Sequence, residues 1–347
     1  MRRLEDMTRT GPLAVLSEHG SQLPAEALRR AAVRATLAPS VHNTQPWQFV
    51  IGPGTLEIHA DYSRQLRVLD PTGRQLIISC GCALLNARVS LAATGSSAAV
   101  RRLHADSRAD LIAELSSSDE QDRTGLAALD PVLGLRRTNR REFAADPVPA
   151  ELVDLLTEAA TREGARLFTV STAAHRRAVA RLSQHADAVQ NADPGYRAEL
   201  RAWVSEDPHR ADGVTTATFP PATQPNPDVV MIRDYGDQVN GVLPAHSGAN
   251  PPTCLLLLGT DDDSPISWLR AGEALERVWL EVTRAGFAMS LFTQVIEVAG
   301  TRALLRDELG LSMYPHVLLR VGRAPATPLS RRRKLVEVLR QRAQLPE

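Results

Sequence analysis

Two short stretches carry more polar chemistry than a chain connection needs. "APSVHNTQPWQFVI", residues 38–51, sets Ser40, His42, Asn43, Gln45 and Trp47 between a helix-like and a strand-like segment. "RRTNRREF", residues 136–143, holds four arginines in six residues, and Glu142 alone cannot neutralise them. "LSRRRK", residues 329–334, is a second basic cluster far away in the chain. Guanidinium groups grip phosphate oxygens bidentately, so the basic stretches read either as solvated turns or as the two sides of a phosphate cradle. In the second reading their shared partner is a doubly charged phosphomonoester. Ser40 and Asn43 are neutral hydrogen-bonding groups, and an Asn that both donates and accepts suits the amide-like edge of a heterocycle or a ribityl chain. Gln45 reads as a turn-holder and Trp47 as a core residue. His42 is either a satisfied loop histidine or an acid/base.

The elements around these stretches follow from periodicity and punctuation. Pro24–Leu37 is a helix, Gln48–Ile51 a strand, and Leu56–Ala60 its hairpin partner across "GPG". In residues 70–95, Leu76, Cys80, Ala83, Leu84, Ala87 and Leu91 share a helical face that stops at Gly95. "LIAELSSS" is a candidate strand. The second part of the chain has a helix and strand over 146–170, an amphipathic helix at "GYRAELRAWVSED", a buried strand at "TCLLLLGT", a strong helix over 267–286, a strand at "HVLLRVG", and a basic cluster leading into a final helix. Residues 212–253 are rich in Pro, Gly, Asn and Thr with little periodicity; a segment of that kind inside a globular chain is usually functional or disordered.

The chain repeats itself. "CGCALLNARVSLAATG" (80–95) aligns without a gap on "AGEALERVWLEVTRAG" (271–286), sharing Gly81/Gly272, Ala83/Ala274, Leu84/Leu275 and Gly95/Gly286. The Pro-Ala-Glu helix before Phe49 is matched by one before Phe168, shorter by six residues where the polar connection stands. Conversely "RRTNRREF" precedes the second such helix, while "AVLSEHGSQ" before the first has no arginine. The preferred reading is a duplication in which each half has dropped what the other carries: an N-terminal half over 1–125 and a C-terminal half over 126–347.

Composition narrows the function classes. With 347 residues, 43% of them hydrophobic, the chain can build a sizeable core. Forty basic residues balance forty acidic ones, which argues against bulk binding of nucleic acid or an acidic membrane. Lys334 is the only lysine, so an anion site must be made of guanidinium forks. Cys80, Cys82 and Cys254 make neither a disulfide framework nor a metal set and read as small buried residues; no metal is expected. No signal peptide is evident, and the "LLLLG" run is too short to span a bilayer, so a cytoplasmic protein is expected. No Gly-x-Gly-x-x-Gly fingerprint points to a separate dinucleotide domain.

Taken in order, "APSVHNTQPW", "DPTGRQLIISCGCALLNARV", "RTNRREF", "DGV" and "WLRAGEALERVWL" resemble the FMN-dependent nitroreductase superfamily, and more closely its Acg-like branch, over roughly residues 20 to 340. The resemblance implies an α+β fold of two fused nitroreductase halves, with mixed, mainly antiparallel sheets flanked by helices. It implies one FMN per chain, because one potential site keeps both motifs and the other keeps neither. Carried over position by position, Arg137, Thr138 and Asn139 hold the phosphate end, and Arg141 reaches the N1/O2 edge of the flavin. Ser40 and Asn43 contact the flavin from the other half, and Val41 stands where many relatives have serine. Arg331 and Arg333 match the C-terminal phosphate ligands, and Leu291 and Phe292 fall next to flavin N5.

The activity this implies is hydride transfer through FMN N5, from NAD(P)H to a nitro, quinone or activated-alkene acceptor, with no protein acid or base demanded. One alternative is flavin storage, with part of 212–253 (Pro220, Pro221 or "RDYG") lying over the ring as a lid. A further alternative is dehydrogenation of a peptide or natural-product intermediate. The expected partners are small molecules, and the expected state is a monomeric pseudo-dimer or a homodimer.

Overall fold

A computed structural model describes residues 22–102, 109–118, 124–221, 230, 232–235, 241–244 and 253–341. The N-terminal stretch containing "AVLSEHGSQ" and much of 222–252 lie outside the described residues. In chain order the helices are α1 (Ala25–Ala35), α2 (Arg74–Ala93), α3 (Asp130–Leu133), α4 (Ala150–Arg162), α5 (Ala173–Ala192), α6 (Pro194–Ala202), α7 (Pro265–Arg284), α8 (Gln294–Glu297), α9 (Ala299–Glu308) and α10 (Leu335–Val338). The strands are β1 (Trp47–Gly52), β2 (Thr55–Ala60), β3 (Ala98–Arg102), β4 (Leu111–Ser117), β5 (Arg166–Thr169), β6 (Cys254–Thr260), β7 (Ala288–Phe292) and β8 (Tyr314–Gly322).

The strands form two antiparallel sheets of four, ordered β1-β2-β4-β3 and β5-β6-β8-β7. The orders are the same, and each second-to-fourth pairing is interrupted at one place, Ile58/His59 in the first sheet and Leu258/Gly259 in the second. The mixed α+β architecture expected from the sequence is therefore present.

Between the sheets lie α2 and α7. α2 is apolar on nearly every face and is buried along most of its length, as a helix packed on all sides must be. By length and composition it would cross a bilayer, but 83% of its apolar window is covered by the rest of the molecule. The helices cross where both sequences have glycine. A Cβ on Gly81 would lie 2.2 Å from the Leu269 carbonyl oxygen, and one on Gly272 would lie 2.0 Å from that of Ile78. Each glycine thus meets the residue three before the other, a self-complementary contact of the kind found on two-fold axes. α1 and α4 pack outside this pair, each entered by a proline and burying one face, Ala27–Leu28–Ala31–Ala35 and Leu152–Leu156–Ala159–Ala160.

Two expectations need correction. The last basic segment makes only a four-residue helix, because the chain beyond it runs out along β1. Leu339 bridges Phe49, and the Arg340 amide donates to the Phe49 carbonyl at 2.9 Å. In addition α5, α9 and β7 occupy stretches where periodicity raised no expectation.

Candidate functional site

The connection between α1 and β1 is held in a costly conformation. His42, Asn43 and Gln45 have φ of 51°, 55° and 52°, a left-handed region that costs side-chain-bearing residues about 1–3 kcal/mol each unless the surroundings enforce it. The surroundings do enforce it. The Gln45 amide donates to Ser40 Oγ at 2.9 Å, Gln45 Nε2 donates to the Ala211 carbonyl at 2.9 Å, and the Arg333 amide donates to Gln45 Oε1 at 2.8 Å. Asn43 Nδ2 donates to the carbonyls of Gly213 and Arg331, both at 3.1 Å, while Arg332 Nη1 donates to Asn43 Oδ1 at 2.9 Å. Asn43 is therefore a three-way bracket joining the connection, the 211–213 turn and the C-terminal basic segment. Trp47, by contrast, is fully buried in the core.

The arginine stretch runs beside β7. Thr138 bridges Met289, and Asn139 donates from its backbone to the Met289 carbonyl and from its side chain to that of Pro325, at 2.9 and 2.8 Å. Asn139 Oδ1 accepts the Arg141 amide at 3.0 Å, and the Arg141 carbonyl accepts Arg320 Nη2 at 3.1 Å.

These two stretches face each other across one cleft of two chambers that share Pro39, Ser40, His42, Thr138 and Arg140. The inner chamber, about 830 Å³ including its mouth, is walled by Ile78, Ser79 and Cys82 of α2, Leu275 of α7, and Ser290–Phe292 of β7. The outer chamber, about 1230 Å³ on the same basis, collects Arg136, Arg137, Arg210, Arg331 and Arg332 beside the shared Arg140. Much of this positive charge is held by neutral acceptors. Arg137 donates to the Arg136 carbonyl at 2.6 Å, Arg331 to that of Asp207 at 3.0 Å, and Arg332 to Asn43 and main-chain oxygens. Burial, aided by the nearby Arg136 charge, lowers Arg332 to about 9, which still leaves it cationic at neutral pH. Arg210 is matched by Asp212, which also pairs with Arg64.

Two buried nitrogens beside the inner chamber lack a partner. Gln75 Nε2 and His42 Nε2 are unpaired on buried side chains that line the inner chamber. Burial, with Arg233 and Arg140 nearby, holds His42 well below its ordinary value, so the imidazole is neutral. It is therefore a hydrogen-bonding group near neutrality and not a proton reservoir.

Over the inner chamber lies the segment 232–235. Arg233 is clamped by Glu297 at 2.6 and 2.8 Å, by Thr293 Oγ1 at 3.1 Å and by the Tyr196 hydroxyl. Tyr235 stacks on Phe219 with centroids 4.2 Å apart, and presents an edge to His42 at 6.2 Å.

Of the residues singled out from sequence, Ser40, Asn43, Thr138, Arg137, Arg331, Leu291 and Phe292 line the cleft. Asn139, Arg141 and Arg333 do not. Asn139 is spent on main-chain bonds, the Arg141 carbonyl takes Arg320 Nη2 while its side-chain Nε is buried without a partner, and Arg333 turns to the carbonyls of Gln45 and Glu337. The wall position expected for Arg141 is held by Arg140, which donates to the Thr218 carbonyl at 3.2 Å and sits over Tyr235. Of the suggested lid residues, those of "RDYG" that reach the chamber are Arg233 and Tyr235; Pro220 and Pro221 do not line it, and Gly236 lies outside the described residues. Sequence reasoning missed Gln75 and Arg332, and it reached the 210–218 turn only through "DGV" and the irregular composition of 212–253.

Comparison with known proteins agrees with this architecture. The Nitroreductase family profile matches residues 134–323. Rv3131 of Mycobacterium tuberculosis H37Rv, named as a candidate NAD(P)H nitroreductase, is 36% identical over 91% of both chains. The acg protein of the same organism, named likewise, is 29% identical over 92% of this chain and 96% of its own. In fold, a crystal structure of a candidate nitroreductase from Anabaena variabilis superposes with a TM-score of 0.51 at 10% identity, covering 86% of this chain and 88% of that one. With a family match over more than half its length, and a relative aligned along nine-tenths of it, the chain belongs to the nitroreductase family.

Proposed function

We propose that this chain is an FMN-binding oxidoreductase that passes hydride from NAD(P)H to a small electrophilic acceptor. The observation that carries the reading is the paired cleft: a largely apolar slot opening through a shared wall into a chamber of guanidiniums held by neutral acceptors. That is the polarity of a flat heterocycle carried on a phosphate tether. The orphaned nitrogens of Gln75 and His42 fit the polar edge of such a ring, and Arg137, Arg331 and Arg332 fit its phosphate. Bound FMN would supply hydride transfer at N5. Ile78, Cys82, Leu275 and Leu291 would exclude water from the ring, and Thr138 and Ser40 would orient it at the chamber junction. Arg140 would set a positive field there, a part the sequence assigned to Arg141. Nitro compounds, quinones and activated alkenes are the acceptor class this chemistry suits.

One site per chain is supported by what stands at the related position across the helix crossing. Aligning Gly81 with Gly272 puts Glu273 where the site has Cys82 and Arg277 where it has Asn86. There Glu273 binds Arg88 at 2.6 Å and Arg102 at 2.7 Å, and Glu163 binds Arg277 at 2.6 Å. We read this ion network as standing in place of a second ligand. The shared strand order and the reciprocal glycine contact also support fused halves, each with one sheet and one central helix.

A second reading, flavin storage, is favoured by the clamped Arg233–Tyr235 segment, which lies where a nicotinamide would have to approach. Stopped-flow mixing of the FMN-loaded protein with NADH and with NADPH separates the two. Bleaching of the flavin absorbance with either nucleotide supports the reductase; no bleaching with both sinks it. A protein that takes up no FMN would overturn both readings.

A further inference from the structure

Beneath the outer chamber lies an acid that neither reading uses. Glu276 of α7 is completely buried, and its Oε1 is 3.2 Å from Arg136 Nε, within ion-pair range but not aligned as a hydrogen bond. Arg136 stacks on Trp279 at 4.5 Å and spends one nitrogen on the Leu37 carbonyl; its Nε and Nη1 are otherwise unpaired. Arg332 Nε, also buried and unpaired, belongs to the same group, as does the Asn86 side chain, which is close enough to Glu276 to favour its ionised form but is not aligned as a hydrogen bond. So many unsatisfied polar atoms around one carboxylate are unusual in a folded interior, and they lie next to the chamber that Arg136 and Arg332 line.

The charges acting on Glu276 are few. Arg136, then the Asn86 side chain of α2, then Arg332 favour its ionised form, and α2 also presents Cys82. α4 buries only Leu152, Leu156, Ala159 and Ala160, and β6 and β8 present apolar residues to the core that α7 shares. Asp130 of α3 is engaged with Arg30 and Arg34, and Arg88 of α2 with Glu163 and Glu273.

We propose that Glu276 is the internal counter-ion of this arginine group, and that a dianion entering the outer chamber displaces it from that role by driving it to take up a proton. The proposal rests on the phosphate reading of the outer chamber and adds to it a proton linkage. A doubly charged ligand at Arg136 and Arg332 competes with the carboxylate for the same guanidiniums, and a buried carboxylate that loses its counter-charge is more stable protonated. Burial already lifts Glu276 to about 7 against the pull of Arg136, so a modest further push is felt near neutral pH. In sign, the protonated acid favours the bound state. Dianion affinity therefore rises as pH falls through the Glu276 titration, by about tenfold for each unit by which binding raises its pKa.

The test is isothermal titration of the apoprotein with sulfate, which stays a dianion throughout, and with FMN. Each is run at pH 6.0, 7.0 and 8.0 in two buffers of different ionisation enthalpy. A phosphomonoester's own second pKa near 6 would release protons on binding, the opposite sign. The expected result is net proton uptake with sulfate at pH 7.0 and 8.0 and with FMN at pH 8.0, where its phosphate is already a dianion, and none with riboflavin. Glu276→Gln should abolish the uptake, flatten the pH dependence and bind sulfate more tightly than the wild type at pH 8. Should that variant fold poorly, a protonated-carboxyl stretch appearing in the infrared difference spectrum of the wild type on sulfate binding makes the same test. Dianion binding with no proton uptake, or uptake unchanged in Glu276→Gln, overturns the coupling and leaves the site standing. Failure to bind either dianion overturns the site and the coupling together.

Discussion

At the residue scale, the guanidiniums of the outer chamber differ in what else they do. Arg137 bonds only to the neighbouring Arg136 carbonyl, so removing it disturbs little of the frame. Arg137→Ala should weaken FMN binding by about tenfold to a hundredfold, the worth of one charge-assisted contact, with riboflavin affinity unchanged; fluorescence titration reads both. Arg332 also brackets Asn43, so its loss would mix binding with folding. The Arg140/Arg141 pair tests register. Arg140→Ala should lower the potential of bound flavin by removing a cation from the shared wall, while Arg141→Ala should leave it in place; spectroelectrochemistry separates them. The reverse result would return the role to Arg141. Residue types at the site were legible in the sequence because four arginines in six positions have few bland explanations. Which arginine faces the ligand was not legible, because the loop's rotation is set by Asn139 bonding to β7 and Pro325, contacts 150 and more positions away.

Elements set how firmly those residues are held. Gln45 is wholly buried and ties the α1–β1 connection to the 211–213 turn and to residue 333. Gln45→Ala leaves several of those groups unpaired and should cost about 2–3 kcal/mol of stability, seen as a lower midpoint in a thermal melt, together with weaker FMN binding. The glycine crossing is stricter still. A methyl on Gly272 would meet backbone and not a yielding side chain, so α2 and α7 must part. Since Cys82 and Leu275 wall the inner chamber from these two helices, the crossing also fixes the width of the slot. Periodicity made α4 and α7 legible because their apolar faces are long and regular, and α2 was legible as a long apolar run between a turn and Gly95. α5 escaped notice because only Val179 and Leu182 on its buried face are large apolar residues, the rest being Ala, Ser and Gln, too weak a contrast with its polar face. β7 escaped because its five residues have no tight hairpin turn beside them, as β1 and β2 have in "GPG".

For the molecule as a whole, acid should be the weak flank. His316 is buried with its Nε2 2.6 Å from Thr260 Oγ1, and burial together with Arg302 and Arg74 depresses it to about 3. A histidine kept neutral in the fold contributes stability that is complete above its ordinary value of 6.5. That contribution shrinks as pH falls, by about 1.4 kcal/mol per unit, until the folded-state value is reached. Glu276, lifted by burial to about 7, gives a slope of opposite sign over much of this range, so the reading is a difference: denaturant unfolding between pH 7 and 5 should show wild type losing its advantage over His316→Gln along this slope as pH falls. Glu163 adds to the effect lower down. Although burial opposes ionisation, Arg88 and Arg277 hold it below its ordinary 4.5, so its ion pairs are lost only as pH falls beneath that value.

The bracket at Asn43 has a consequence for biosynthesis. Its partner Arg332 lies 289 residues later in the chain. At about 5–20 residues per second on the ribosome, roughly 15 to 60 s separate their synthesis. Until the 211–213 turn and then the basic segment emerge, the α1–β1 connection lacks most of the partners that hold its left-handed turns, and until residue 284 is made α2 has no complete α7 to cover it. The first half must wait as an incomplete subunit exposing the most apolar helix of the chain, so trigger-factor-like and Hsp70-like chaperones should be found on nascent chains halted before residue 265, and should leave once α7 has emerged.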